Sequence, residues 1–194
     1  MKMKGINIIA VLLSLAVLGS CKTLMSYTSI LNCDFRMESL KNPTVAGMNV
    51  SSIKSFSDLS FLQAGKITTA YLSGNIPLDF TLNIEAKNPN TTEARMAQFE
   101  WIVNIDDIQI ATGTNRSEYV IPGNEGNTII SLKISVNLLD VINKDSKDAL
   151  VNFGLNLADA SDKPTRVKLQ IKPTVYVGSI PVSYPSYIIL GTEF

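Results

Sequence analysis

Histidine is absent from all 194 residues, and cysteine occurs twice, at Cys21 and Cys33. The first absence removes the commonest general base and a frequent metal ligand. Ser-His-Asp and Cys-His sites are thereby excluded, and a zinc site would have a single free cysteine. An excess of one charge is missing too, since 17 basic residues balance 17 acidic ones. No basic patch marks a nucleic-acid partner. No apolar run reaches the roughly 20 residues needed to cross a bilayer core of about 30 Å. Gly123 and Gly126 lack the Lys-Ser/Thr that completes a phosphate-cradling loop. There is no internal repeat and no low-complexity tract.

At the start of the chain, Lys2 and Lys4 precede an apolar run over residues 6–17, interrupted by Asn7 and Ser14. It is too short to span a membrane and reads as the core of a signal peptide. It ends in Leu18-Gly19-Ser20-Cys21, which resembles the lipobox of bacterial lipoproteins. That resemblance implies diacylation of the Cys21 thiol, cleavage after Ser20 and acylation of the new amine. One acyl chain binds marginally, whereas two or more hold. The expected organisation is a signal peptide over 1–20, a polar tether over 21–30 and one domain over 31–194. Loss of Lys2 and Lys4 leaves 15 basic against 17 acidic residues, a balance of −2. Lys22-Thr23-Leu24-Met25-Ser26 carries neither an acidic second position resembling an inner-membrane retention signal nor an acidic run resembling a surface-export signal. This implies the periplasmic face of the outer membrane.

Period-two patterning dominates the domain. Ile76, Leu78, Phe80, Leu82, Ile84 and Ala86 alternate with Pro77, Asp79, Thr81, Asn83, Glu85 and Lys87. Alternation predicts one long strand with a dry and a wet face, stopped by Asn88-Pro89-Asn90. A first strand is expected over 31–40, with Cys33 on its apolar face as an inert thiol. Asn42-Pro43 should break it, and a short segment follows over 48–53. Spacing of three and four residues predicts helix over 57–73, with Ser57 as N-cap, Gly65 as a split and Gly74 as a stop. That helix is expected to cover an open end or edge of a sheet. Ala97, Phe99, Trp101, Val103 and Ile105 form the inward face of a strand that turns at Asp106-Asp107 into Ile108 and Ile110. Ile121-Pro122-Gly123 opens the connection to a strand over 128–138. A helix over 139–156 and a strand over 167–177 come next. After a turn at Gly178-Ser179, a closing strand over 180–190 contains Pro181 and Pro185, which place it at an edge or a bulge. Such strands, each with a polar face, predict an antiparallel β-sandwich with Greek-key connections and a few short helices.

Leu82-Asn83-Ile84-Glu85-Ala86-Lys87-Asn88-Pro89-Asn90 resembles the strand end of the late embryogenesis abundant type 2 family, the water-stress and hypersensitive-response domain. The following order also fits that family: Phe99 and Trp101, the hairpin to Gly113, Ile121-Pro122-Gly123, and the hydroxyl-rich strand from Thr128. The resemblance covers roughly residues 75–180. It implies a mostly β, fibronectin-III/immunoglobulin-like sandwich and no catalytic residues. The helical region 57–73 and the prolines at 181 and 185 depart from it and look more like bacterial envelope lipoproteins.

The remaining chemistry is sparse. Asp106-Asp107 is a candidate calcium pair against the plainer reading of a solvated turn. Asp79 and Glu85 share a face but lie about 20 Å apart along the strand, too far for a glycosidase pair. Phe99, Trp101, Tyr119, Tyr176, Tyr184 and Tyr187 either line a ligand groove or fill core and rim. Asn49, Asn90 and Asn115 fall in glycosylation sequons and are read as chance. The expectation is a non-catalytic envelope lipoprotein without cofactor or metal. It is held to the membrane through Cys21 and acts by binding an envelope protein or protecting the envelope. A carrier of a lipid or other apolar ligand is the alternative.

Overall fold

The computed structural model describes residues 29–50, 60–141, 166–177 and 179–193. The expected signal peptide, Cys21, the expected tether up to residue 28, the end of the segment expected over 48–53, Ser57, the expected helix past residue 141 and Gly178 lie outside them. In chain order the elements are β1 (Asp34–Val45), β2 (Met48–Asn49), α1 (Phe61–Leu72), β3 (Pro77–Asn88), β4 (Ala94–Met96), β5 (Gln98–Ile105) and β6 (Ile108–Asn115). There follow β7 (Tyr119–Ile121), β8 (Gly126–Asn137), α2 (Leu138–Val141), β9 (Arg166–Val177), β10 (Ile180–Ser183) and β11 (Ile188–Glu193).

One sheet has the order β2-β1-β3-β8, and a second has β10-β9-β5-β6 with β11 also on β9. β4 and β7 form a small third ladder. Every pairing is antiparallel. The two large sheets face each other, with β11 nearest β1 and β6 nearest β8. This is the predicted mostly β, antiparallel sandwich with few short helices.

β3 is paired along one side to β1 and along its whole length to β8. Its even-numbered residues Leu78, Phe80, Leu82, Ile84 and Ala86 are buried against Ile130, Leu132 and Ile134 of β8 and the facing residues Phe99, Val103, Leu169 and Ile171. Alternate residues of a strand face opposite ways, so a single unbroken phase delivers five apolar side chains to the core.

The other face of β3 is less wet than alternation implies. Asn83 is 6% exposed because strands flank it on both sides. Its Nδ2 donates to Ser39 Oγ (3.0 Å), and its Oδ1 accepts from Ser131 Oγ (2.8 Å). Two rungs along, Glu85 pairs with Arg36 and accepts from Asn127 Nδ2 (3.0 Å). Buried polar atoms are tolerated when satisfied in this way.

The first strand differs from its expectation in three respects. It starts at Asp34, because residues 29–31 are helical and Cys33 precedes the ladder. It runs through Asn42-Pro43, which forms a bulge with Asn42 at φ 53°. A second bulge between Met37 and Ser39 shifts the phase, turning Ser39 outward to Asn83 and Leu40 inward to Leu82. One extra residue in a strand reverses every later side chain, so the bulge keeps the apolar series on the core side.

α1 begins at Ser60, with the Ser60–Gln63 capping box. It is not split at Gly65. Its end is a Schellman motif: the Asn75 N–H bonds the Ala70 carbonyl and the Gly74 N–H the Tyr71 carbonyl, both at 3.0 Å, with Gly74 at φ 74°. Contrary to expectation it covers no sheet, since none of its residues is buried. The closing strand is two strands, β10 and β11, both on the outer side of β9. Pro181 lies in β10 and Pro185 in the break between them.

Leu82→Ala removes a fully buried side chain from the centre of β3, with an expected cost of about 2–5 kcal/mol. Urea denaturation measures it, and a cost below about 1 kcal/mol would contradict this placement of β3.

Candidate functional site

The polar groups that converge most densely lie at the ends of β3. Asn88 is fully buried. Its Nδ2 donates to the carbonyls of Thr92 (2.9 Å) and Ile121 (3.0 Å). Its Oδ1 accepts from the Asn90 N–H (3.0 Å) and Asn90 Nδ2 (2.7 Å). Asn90 Nδ2 also donates to the Ser29 carbonyl (3.0 Å), and Asn32 Nδ2 donates to Asn90 Oδ1 (3.3 Å). The backbone N–H groups of Asn124 and Glu125 reach the carbonyls of Asn90 (2.7 Å) and Asn88 (3.0 Å). Gly123 lies so close that a Cβ there would sit 2.6 Å from the Thr91 carbonyl oxygen. An asparagine amide carries two donors and one acceptor oxygen, and Asn88 uses all of them. Asn88-Pro89-Asn90 is thus a clasp joining the N-terminal turn, the loop after β3 and the turn before β8.

A second asparagine closes the opposite end. Asn137 Oδ1 accepts from the N–H groups of Ile76 (2.9 Å) and Leu139 (3.2 Å), and its Nδ2 donates to the Gly74 carbonyl (3.1 Å). Beside it, Ala46, Phe61, Leu62, Lys66, Ala70 and Pro77 line part of an open-sided cleft of about 690 Å³. Phe61 is 97% exposed, Leu62 72% and Leu72 79%. Sequence reasoning missed both clasps and this bare helix face. The signal for the first was the pair of polar residues bounding an apolar ladder.

The candidate chemical groups are engaged structurally. Asp106 and Asp107 make the hairpin turn, both with positive φ. Asp107 is held by Lys168 Nζ (2.7 Å) and Arg166 Nη2 (2.9 Å), and Asp106 Oδ1 accepts from the Arg166 N–H (3.0 Å). Lys168 and then Arg166 hold the Asp107 carboxyl below its usual range. The pair is a cross-strand ion-pair knot, and among the described residues no group of three metal-ligating side chains forms. Glu85 is held low by Arg36 and Asn127, and Asp79 accepts from Thr44 Oγ1 (3.5 Å). Cys33 is buried with its thiol directed at the Ser29 carbonyl (3.3 Å). Burial, with Asp34 nearby, pushes that thiol up to about 11, so it is protonated and inert at neutral pH.

The six aromatics do not gather into one groove. Phe99 is in the core against Tyr119, with centroids 6.1 Å apart. Trp101 is half-buried over Gly113, and Tyr184 is buried. Tyr176 is exposed, and Tyr187 pairs with Glu100 and Lys172 on the surface.

No family model matches the chain. The autotransporter adhesin NhhA of Neisseria meningitidis serogroup B is 25% identical over 124 residues, which is 63% of this chain. The chain spans 19% of that adhesin's length. Among solved structures, a putative late embryogenesis abundant (LEA) protein, At2g46140.1, matches with a TM-score of 0.40 and 16% identity, over 97% of this chain and 88% of that one. AT1g01470 from Arabidopsis thaliana gives 0.39 and 11%, over 83% and 76%. A protein from Archaeoglobus fulgidus gives 0.38 and 13%, over 81% and 95%. At these TM-scores none of the likenesses carries an argument, and the fold rests on its own strand order and register.

Asn88→Ala strips partners from buried carbonyl and N–H groups. Orphaning a buried polar group costs about 1–3 kcal/mol, so a loss of roughly 3 kcal/mol or more is expected in urea denaturation. Wild-type stability with this variant would contradict the clasp. The depressed carboxyls of Glu85 and Asp107 favour the folded state above the unfolded carboxylate range, near pH 4. That contribution fades as pH falls through their folded values, so Glu85→Gln is expected to flatten the acid limb of a stability-versus-pH curve. An unchanged acid limb would remove Glu85 from that linkage. The raised Cys33 thiol acts at the other extreme: stability is expected to fall between about pH 9 and 11, where the unfolded chain ionises first. Replacing Cys33 by Ala should reduce that fall and leave the share that the raised Lys87 and Tyr187 groups contribute.

Proposed function

We propose that this chain is a non-catalytic envelope lipoprotein, a late embryogenesis abundant type 2-like sandwich tethered through acylated Cys21, which binds a protein partner through α1. The observation that carries partner binding is the state of α1. Its two ends are capped by specific hydrogen bonds, which favour the helix but do not replace packing of its apolar face. Yet Phe61, Leu62, Tyr71 and Leu72 stand in solvent. An exposed apolar patch of this kind marks an interaction surface more often than a defect. The non-catalytic reading is supported by the candidate groups, since Cys33, Glu85, Asp106 and Asp107 are each engaged in holding the fold together. The lipobox-like Leu18-Gly19-Ser20-Cys21 supports the anchor. The short adhesin match agrees with an envelope setting, and the expected side is the periplasmic face of the outer membrane.

The cleft beside α1 favours a second reading, carriage of a lipid or other apolar ligand, because its volume lies within the usual range for ligand sites. Such sites enclose most of their ligand, whereas this cleft is open-sided and Phe61 on its wall is fully exposed. The protein-partner reading is therefore preferred.

A photo-crosslinker at Leu62, compared with one at Lys133 on β8, tests the proposal in the native envelope. A discrete protein adduct is expected from Leu62 alone and should disappear in Leu72→Glu, which retains the wild-type melting temperature. Identical adducts from both sites, or none from Leu62, would reject α1 as the binding face. Co-purification of an apolar ligand in native mass spectrometry would favour the carrier.

A further inference from the structure

We infer that the asparagine clasp sets which end of the sandwich faces the membrane: the Asn88-Pro89-Asn90 end lies toward the bilayer that holds Cys21, and α1 points away from it. This rests on the lipid-anchor reading above. Ser29 follows Cys21 by eight residues. Whatever their conformation, eight residues span at most about 29 Å. Ser29 cannot drift from the domain, because its carbonyl accepts from Asn90 Nδ2 and the next residue, Ile30, is fully buried. The point where the tether enters the fold is therefore fixed at the Asn88 end of β3.

β3 has 12 residues, which extend about 36 Å at roughly 3.3 Å per residue. α1 leads into the opposite end of that strand, at Pro77. Were the α1 end set against the bilayer, the clasp would stand about 36 Å from it, beyond the reach of the tether. With the clasp end toward the lipid the tether is long enough, and the bare apolar face of α1 is then directed to whatever lies farther from the membrane. In this orientation a partner bound by α1 is met on the side of the domain away from the anchoring bilayer.

The test uses the full lipidated chain in phosphatidylethanolamine/phosphatidylglycerol vesicles carrying a headgroup-linked quencher. A fluorophore is attached at Thr91→Cys, beside the clasp, or at Ala64→Cys on α1. Cys33 stays unlabelled because its thiol is buried and protonated. Severalfold stronger quenching is expected at residue 91 than at residue 64, with the difference narrowing when Asn90→Ala and Ile30→Ser together loosen the point where the tether enters the fold. Equal or reversed quenching on a protein whose Cys21 mass shows the lipid would overturn the orientation while leaving the anchor intact. A persistent difference in that double variant would show that this entry point does not set it. An unmodified residue 21 by mass spectrometry would instead reject the anchor itself, and the orientation with it.

Discussion

The pairing of β3 on both of its edges is the constraint from which the rest of the sandwich follows. β8 matches it residue for residue over all 12 positions, and β1 matches it with two bulges. A strand so enclosed has no free edge; one of its faces is dry, and the other is partly covered and carries the exposed Lys87. Five apolar residues meet the opposite sheet, while Asn83 and Glu85 are bonded to the strands beside them. Register is then strongly determined, because a one-residue slip would drive Asn83 and Glu85 into the core.

The two ends of that strand are closed by the same device. An asparagine side chain imitates a backbone amide, donating and accepting at once, and can therefore tie off loops whose peptide groups have left the ladder. Asn88 does this where the chain enters the domain, and Asn137 does it where α1 and α2 meet the sheet. Proline between Asn88 and Asn90 fixes the backbone so that both side chains turn toward one point. A motif that looks like a simple strand stop is thus a junction of three separate chain segments.

Much of this was legible in the residues. The alternations at 76–87, 97–105, 128–138 and 167–177 reappear as β3, β5, β8 and β9, except that Leu138 already opens α2, and the Asp106-Asp107 turn lies where the pattern puts it. What failed did so for identifiable reasons. The bulge after Met37 leaves only a break of phase, from Met37 to Leu40, and such a break reads equally well as the end of a strand. Asn42-Pro43 looks like a stop because proline cannot donate, yet Pro43 sits in a bulge where no donor is needed. The apolar alternation around Cys33 suggested strand, but burial of Ile30 and the bonds from Asn90 and Asn32 wind residues 29–31 into helix instead. The candidate acids were visible, whereas their engagement by Arg36, Arg166 and Lys168 depends on strands brought together from distant sequence. Helical spacing located α1 but not its exposure, because amphipathic periodicity names an apolar face and not the surface that covers it.

Native-state hydrogen exchange, read amide by amide, tests the dependence of the sandwich on β3 most directly. The amides of Leu82, Asn83 and Ile84 are expected to exchange only through global unfolding, with the slowest rates in the protein, while those of β10 and β11 at the sheet edge open earlier. Exchange of the three central amides as fast as that of the edge strands would contradict the account.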